Sequence, residues 1–149
     1  MMKILKTGLL LSALSIFLLS CKTSAQSSTI QSVTYSETFG RGGATSVTAT
    51  KDSLEASARG GKMSEFPSFK KKMSSKDWQK LISGLDISLL EATKSGERRG
   101  LYDGSDEIFR IKTSEKEYEF YNVPAESAGY KQLEQLKKAL NNLVSQNKQ

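Results

Sequence analysis

The sequence contains no histidine and a single cysteine, and these shortages remove much of the usual chemistry of small proteins. A Ser-His-Asp triad, a Cys-His pair and a His-ligated metal site all need a histidine. A structural zinc site needs several Cys or His ligands, and an internal disulfide needs two cysteines. The sequence therefore predicts no catalytic residues, no metal and no cofactor. Any function must rest on carboxylates, hydroxyls, lysines, arginines and surface shape.

A long hydrophobic run is also missing. Lys3 and Lys6 precede the uncharged segment 8–19, GLLLSALSIFLL. As a helix this segment would span roughly 18 Å, which is too short for a hydrocarbon core of about 30 Å. A basic start followed by a short apolar core is typical of a signal peptide rather than of a membrane span.

The apolar segment ends in the sequence LLSC at positions 18–21, which resembles the lipobox of bacterial lipoproteins, where a small residue precedes an acylated cysteine. The resemblance implies cleavage before Cys21, acylation of Cys21 as the lipid-attachment site, and anchoring to the lipid bilayer. Because Lys22 rather than an acidic residue follows, it also implies export to the outer membrane of a Gram-negative bacterium. The alternative is an ordinary signal peptide that is cleaved after Ala25 and takes Cys21 with it.

This interpretation divides the chain into a signal peptide (1–20), a lipidated cysteine with a flexible Ser-rich tether (21–29), one domain (30–145) and a tail that frays (146–149). Cleavage removes two lysines, so the formal net charge falls from +6 to +4. Such a modest charge on an exported chain argues against nucleic acid as a partner.

The first half of the domain alternates apolar and polar residues with the period of a β-strand. The alternation begins at Ile30, is interrupted by the glycines of segment 40–43, and then resumes in two further strands. A turn at 51–52 between these two strands would place Ala49 opposite Leu54. Because this register sets apolar against apolar, it favours three antiparallel strands.

A second hairpin is predicted around a turn at 114–115. This register places Phe109 opposite Phe120 on one side, and Arg110 opposite Glu119 on the other. One register thus satisfies both an apolar face and a charge pair, each pair being worth roughly 0.2–1 kcal/mol.

Two amphipathic helices complete the domain. Ser74 followed by Asp77 has the spacing of a capping box and predicts the start of the first helix. The second helix runs from about 127 to 145, with leucines along one side. We therefore expect a single α+β domain of order βββαββα, with an antiparallel sheet and helices packed on one face.

Arginine and glycine residues are expected to gather at one end of the sheet, because the turn at 40–43 and the loop at 59–62 lie at the same end of an up-down-up meander. Glycine allows close backbone approach, and arginine recognises carboxylate or phosphate in a bidentate manner. This end is the candidate binding surface for an acidic ligand or an envelope protein partner; the alternative is an ordinary solvated surface. Its residues are Arg41, Gly42, Gly43, Arg59 and Lys62.

Three other patterns have simpler explanations. The residues from Asp103 to Glu107 begin like a calcium loop, but the Gly and Glu required later in such a loop are absent. Glu37 lies on the apolar side of the first strand, where burial would raise its pKa; the alternative is a glutamate turned to solvent. The lysines at 70–72 would either meet anionic lipid headgroups or form a solvated loop.

These observations predict a non-enzymatic, membrane-anchored envelope protein that acts by binding or as a structural module. Residues 35–46 are similar to the small metalloprotease inhibitors of the emfourin type, which have a Gly-rich turn between early strands. This resemblance implies an alternative function, an envelope protease inhibitor. A small hydrolase that uses carboxylates is the third possibility.

Overall fold

The computed structural model describes residues 30–61, 63–100 and 104–147, so the predicted signal peptide and tether lie outside the described residues. The described residues form one six-stranded antiparallel sheet and three α-helices, which confirms the α+β class. The elements are β1 (Ile30–Phe39), β2 (Ala44–Thr50), β3 (Ser53–Arg59), β4 (Phe69–Lys72), α1 (Ser75–Ile82), α2 (Ile87–Glu91), β5 (Ser105–Thr113), β6 (Glu117–Tyr121) and α3 (Tyr130–Ser145). The strand order across the sheet is β4-β3-β2-β1-β5-β6.

The hydrophobic core fills one face of the sheet, called the core face. Val33 of β1 and Ile111 of the neighbouring strand β5 are both fully buried there. The buried apolar side chains of the described helices join the same cluster, and each contributes roughly 1.5–3 kcal/mol on burial. Those helix residues are Trp78, Leu81, Ile82, Leu90, Leu133, Leu136, Leu140 and Val144.

The opposite side of the sheet, called the open face, has a different composition. Because side chains alternate along each strand, the residues between the core positions point to this face. They are mainly hydroxyl and charged residues, and they include Thr34, Ser36, Thr38, Ser46, Thr48, Glu55, Ser57 and Arg110. The division into an apolar and a polar face therefore follows the alternation of the sequence.

Helix α1 begins where the capping pattern predicts. The Ser74 hydroxyl oxygen accepts a hydrogen bond from the Asp77 backbone N–H at 3.0 Å and donates to the Asp77 carboxylate at 2.6 Å. The helix then turns Trp78, Leu81 and Ile82 toward the sheet. Ser74 thus satisfies a backbone N–H that the first helical turn leaves without a partner.

Both predicted hairpin registers are confirmed. Ala49 pairs with Leu54 across the turn between β2 and β3. Phe109 pairs with Phe120 across the turn between β5 and β6, and Arg110 pairs with Glu119 in the same ladder. Apolar side chains meet on the core face in both hairpins, as the alternation requires.

The structure adds two elements to the predicted order. The strand β4 lies at one edge of the sheet, where it pairs with β3 so that Lys71 faces Leu54. Three consecutive lysines show no alternation, so the strand pattern is hidden in the sequence. The short helix α2 is capped by Asp86, whose carboxylate accepts from the Ser88 N–H at 2.8 Å. No helix in the described part of the chain is long and apolar enough to cross a membrane.

Candidate functional site

The glycine-rich turn and the end of β3 lie against each other, as the meander predicts. Residues 40–42 form a single 3-10 turn, and Gly43 follows with φ +121°. A Cβ atom on Gly43 would lie 2.1 Å from the Arg59 carbonyl oxygen. Gly60 has φ +101°, and a Cβ atom on it would lie 2.5 Å from the Cα of Gly43. Both positions therefore require glycine.

The structure brings most of the predicted binding residues to this end of the sheet. The side chains of Arg41 and Arg59 are exposed, while Gly42 is half-buried. Lys62 lies outside the described residues, and so does Cys21, the predicted lipid-attachment site. Binding of a partner at this end stays a prediction.

A shallow hollow of about 340 Å³ lies beside the same end, on the open face. Four adjacent strands, β3, β2, β1 and β5, contribute to it. We call it the hydroxyl hollow, because hydroxyl groups and two guanidinium groups dominate its polar lining. These polar residues are Ser36, Thr38, Thr45, Ser46, Ser57, Arg59 and Arg110.

The hydroxyl groups of the hollow retain hydrogens that they can donate. The hydroxyl oxygens of Ser36 and Ser46 are 2.9 Å apart, so one donates to the other and the accepting hydroxyl keeps its own hydrogen. The Thr38 hydroxyl oxygen accepts from the Asp106 backbone N–H at 3.2 Å, which leaves the Thr38 O–H free to donate elsewhere. The hollow is therefore rich in donors.

Two arginines give the hollow basic side chains. Arg59 lies at its rim and is exposed, and Arg110 lies between the hollow and β6. The Nε of Arg110 donates to the Glu119 carboxylate, and the remaining guanidinium N–H groups stay available as donors. No acidic side chain of the described residues lines the hollow. An anion is the ligand that this charge favours.

A buried carboxylate lies beside the hollow, in the next residue pair on this face of the ladder. Asp106 is 1 % exposed and lies opposite Thr38. Its carboxylate accepts from the backbone N–H groups of Arg99 at 2.6 Å and Gly100 at 3.0 Å, and from Asn122 Nδ2 at 2.7 Å. Burial acts to raise the pKa of Asp106, but these hydrogen bonds outweigh it and hold the pKa below its ordinary value.

The core face carries a separate cluster of charges around Tyr35. The Tyr35 hydroxyl lies 3.1 Å from a Glu107 carboxylate oxygen and 3.4 Å from one of Glu37. Burial, followed by these two carboxylates, raises the pKa of Tyr35 far above its ordinary value. Lys137 of α3 pairs with Glu107 and lies 3.6 Å from the Glu134 carboxylate. Glu37 is thus half-buried at the end of its strand, next to a tyrosine that stays protonated.

This cluster ties α3 to the sheet. Glu37 and Glu107 lie opposite each other on β1 and β5, so their like charges repel, and the ammonium of Lys137 offsets the repulsion. Of the calcium-like sequence, Asp103 lies outside the described residues and Ser105 begins β5. In the described ranges, no group of three or more His, Cys, Asp or Glu side chains is arranged to hold a metal ion.

The lysine run forms the edge strand β4 instead of a loop. Lys70 Nζ lies 3.2 Å from the Glu55 carboxylate, and Lys71 donates to the Asn147 side chain. Lys72 pairs with Ser53, at the end of the sheet where β1 begins. Contact of these lysines with lipid headgroups stays a prediction.

Neither the protein-family models nor the curated proteins that were compared match this chain. The hydroxyl hollow was not predicted from the sequence, although Ser and Thr at alternate positions of 32–38 and 46–50 gave a signal. The missing information is that β5 pairs with β1 and brings Arg110 to the same surface.

Proposed function

We propose that this protein is a membrane-anchored lipoprotein of the cell envelope, and that its domain acts by binding rather than by catalysis. The observation that carries the binding role is the hydroxyl hollow, a donor-rich concavity on the open face that two arginines line. The anchor is supported by the lipobox-like sequence that ends at Cys21. Lys22, which follows it, favours the outer membrane of a Gram-negative cell.

The direction of β1 supports this arrangement. The tether would join the domain at Ile30, where β1 begins, whereas the hollow is lined by Ser36 and Thr38 near its end. A strand rises about 3.3 Å per residue, so Thr38 lies roughly 26 Å from the point of attachment. A tether from Cys21 would therefore join the sheet at the end opposite the hollow.

The anchor is tested by the intact mass of the protein extracted from membranes. We expect a chain that begins at Cys21 and carries acyl groups. The variant Cys21→Ser should lose this added mass and leave the membrane fraction, because no thiol remains for lipid attachment. An unmodified chain that begins at Gln26 would contradict the proposed anchor.

The binding role is tested by crosslinking in intact cells. A photo-crosslinking amino acid at Ser57, which is exposed in the hollow, should capture an envelope component. The same amino acid at Lys80, exposed on α1, serves as the matched control. The product at Ser57 should disappear when Arg59→Ala is added, because the hollow then loses its rim charge. Equal products at both positions, or a product insensitive to Arg59→Ala, would refute binding through the hollow.

A further inference from the structure

We infer that the hydroxyl hollow binds an anionic saccharide, that is, a sugar unit that carries a carboxylate or a phosphate. This inference rests on the proposed binding function and names its ligand class. Three properties of the hollow support it: its size, its donors and its apolar floor.

The size fits a single sugar unit. Sites for small molecules in proteins commonly enclose about 300–1,000 Å³, and the hydroxyl hollow has about 340 Å³. A bare phosphate or carboxylate ion would leave much of this space to water. A sugar ring would fill the space, and its charged substituent would contact Arg59 at the rim.

The donors fit an oxyanion next to several hydroxyls. Arg59 presents a planar guanidinium that can meet a carboxylate or phosphate in a bidentate manner. The Thr38 hydroxyl keeps a hydrogen to donate, and so does one of the pair Ser36 and Ser46. Such hydroxyls both donate and accept, which matches the donor-acceptor character of sugar hydroxyls.

The floor of the hollow is apolar. Ile108 points to the open face, opposite Ser36 in the ladder, and yet it is only 6 % exposed. Ala44 lines the hollow as well. A sugar ring has C–H groups on its faces, so one face can cover this apolar floor while the hydroxyls at its edge bond to the walls.

The test uses full-length protein, purified from membranes in a non-ionic detergent, and isothermal titration with four probes. The probes are glucuronate, glucose 6-phosphate, glucose and inorganic phosphate. Because a hydrogen bond to a charged group contributes about 1.5–3 kcal/mol, we expect the two charged sugars to bind about tenfold or more tightly than glucose. They should also bind more tightly than inorganic phosphate, and added salt should weaken their binding.

Variants of Arg59 distinguish the effect of its positive charge from that of its guanidinium geometry. Arg59→Ala should weaken binding of glucuronate by about tenfold or more, and Arg59→Lys should fall between it and the unmodified protein. Lys80→Ala removes an exposed positive charge from α1 and should leave binding unchanged. Because Arg59 is exposed, Arg59→Ala should keep the thermal unfolding midpoint, which shows that the fold is intact.

Three results would overturn the inference: equal affinity for glucose and glucuronate, equal affinity for inorganic phosphate and the charged sugars, or binding that Arg59→Ala does not change. The crosslinking experiment distinguishes this failure from failure of the proposed function. A specific product at Ser57 without saccharide binding would retain the binding role and refute the ligand class. Absence of both would refute both.

Discussion

Replacing Asp106 with alanine should lower the free energy of unfolding by about 2–4 kcal/mol, because its buried carboxylate holds the segment before β5. Three hydrogen bonds reach this carboxylate, from the backbone of Arg99 and Gly100 and from the side chain of Asn122. Each hydrogen bond to a charged group contributes about 1.5–3 kcal/mol, but freed backbone groups at an exposed loop regain water. The expected loss is therefore smaller than the sum of the three.

The same carboxylate predicts a pH dependence. The pKa of Asp106 in the folded protein lies below the unfolded value of about 3.9, so its stabilisation is fully present above that value. It is lost as the pH falls through the folded pKa, because protonation then favours the unfolded chain. The variant Asp106→Asn lacks this titration, and its stability should fall less steeply between about pH 5 and pH 2.

Urea unfolding followed by tryptophan fluorescence measures both effects. Trp78 is the only tryptophan of the chain and is 6 % exposed, so its emission reports loss of the core. Asp52→Ala, at an exposed turn, is the matched control and should change stability by less than about 0.5 kcal/mol. A loss below about 1 kcal/mol for Asp106→Ala, or parallel acid profiles for the unmodified protein and Asp106→Asn, would refute the reasoning.

Three further predictions concern the turn, the helix start and the buried tyrosine. Gly43→Ala should destabilise the fold by about 2 kcal/mol or more in urea unfolding, because the new Cβ atom would clash with a backbone oxygen of β3. In the control Gly61→Ala the new Cβ atom has no neighbour within 4 Å, so stability should not change. Equal losses of stability in the two variants would contradict this prediction. Ser74→Ala should lower the free energy of unfolding by about 0.5–2 kcal/mol, because the hydroxyl that caps α1 is removed. Ser75→Ala should lower it less, and the reverse order would argue against the cap. Tyr35→Phe should reduce the loss of stability that the protein shows between about pH 9.5 and pH 11, because the unfolded tyrosine ionises near pH 10 while the folded one stays protonated. Chemical unfolding at several pH values measures this loss. The same loss of stability in Tyr35→Phe and the unmodified protein would refute the raised pKa.

The residue pattern of each hairpin was sufficient to predict its register. The pairs Phe109–Phe120 and Arg110–Glu119 lie close in sequence, and only one register satisfies both, so the turn could be placed from the residues alone. The capping box at Ser74 was equally readable, since a cap needs only neighbouring residues. Interactions of this kind depend on short stretches of chain, which is where sequence patterns are most informative.

Contacts between distant segments could not be predicted in this way. Nothing in the alternation of β1 indicates that β5 becomes its second neighbour, although this pairing joins the β5–β6 hairpin to the other four strands. Asp106 belonged to the calcium-like sequence, and no structural role could be predicted for it, because its donors at 99, 100 and 122 reach it only in the folded chain. Its role depends on tertiary structure.

The candidate site was likewise predictable only where it depends on neighbouring strands of the chain. Gly43 and Arg59 were placed together from the meander, because consecutive antiparallel strands must reverse at alternate ends. The hydroxyl hollow was not foreseen, since Arg110 reaches it from β5. Sequence reasoning therefore located the end of the sheet but not the concavity beside it.

The lysines of β4 bear on how copies of this protein behave at high concentration. An outer strand leaves backbone N–H and C=O groups free, and these groups are a template for a strand from another molecule. Two copies that joined through their β4 edges would bring two runs of lysine at 70–72 to within about 5 Å, the spacing of paired strands. The repulsion between like charges opposes such pairing. The lysines at 70–72, which obscured the strand pattern in the sequence, thus oppose edge-to-edge aggregation of the sheet.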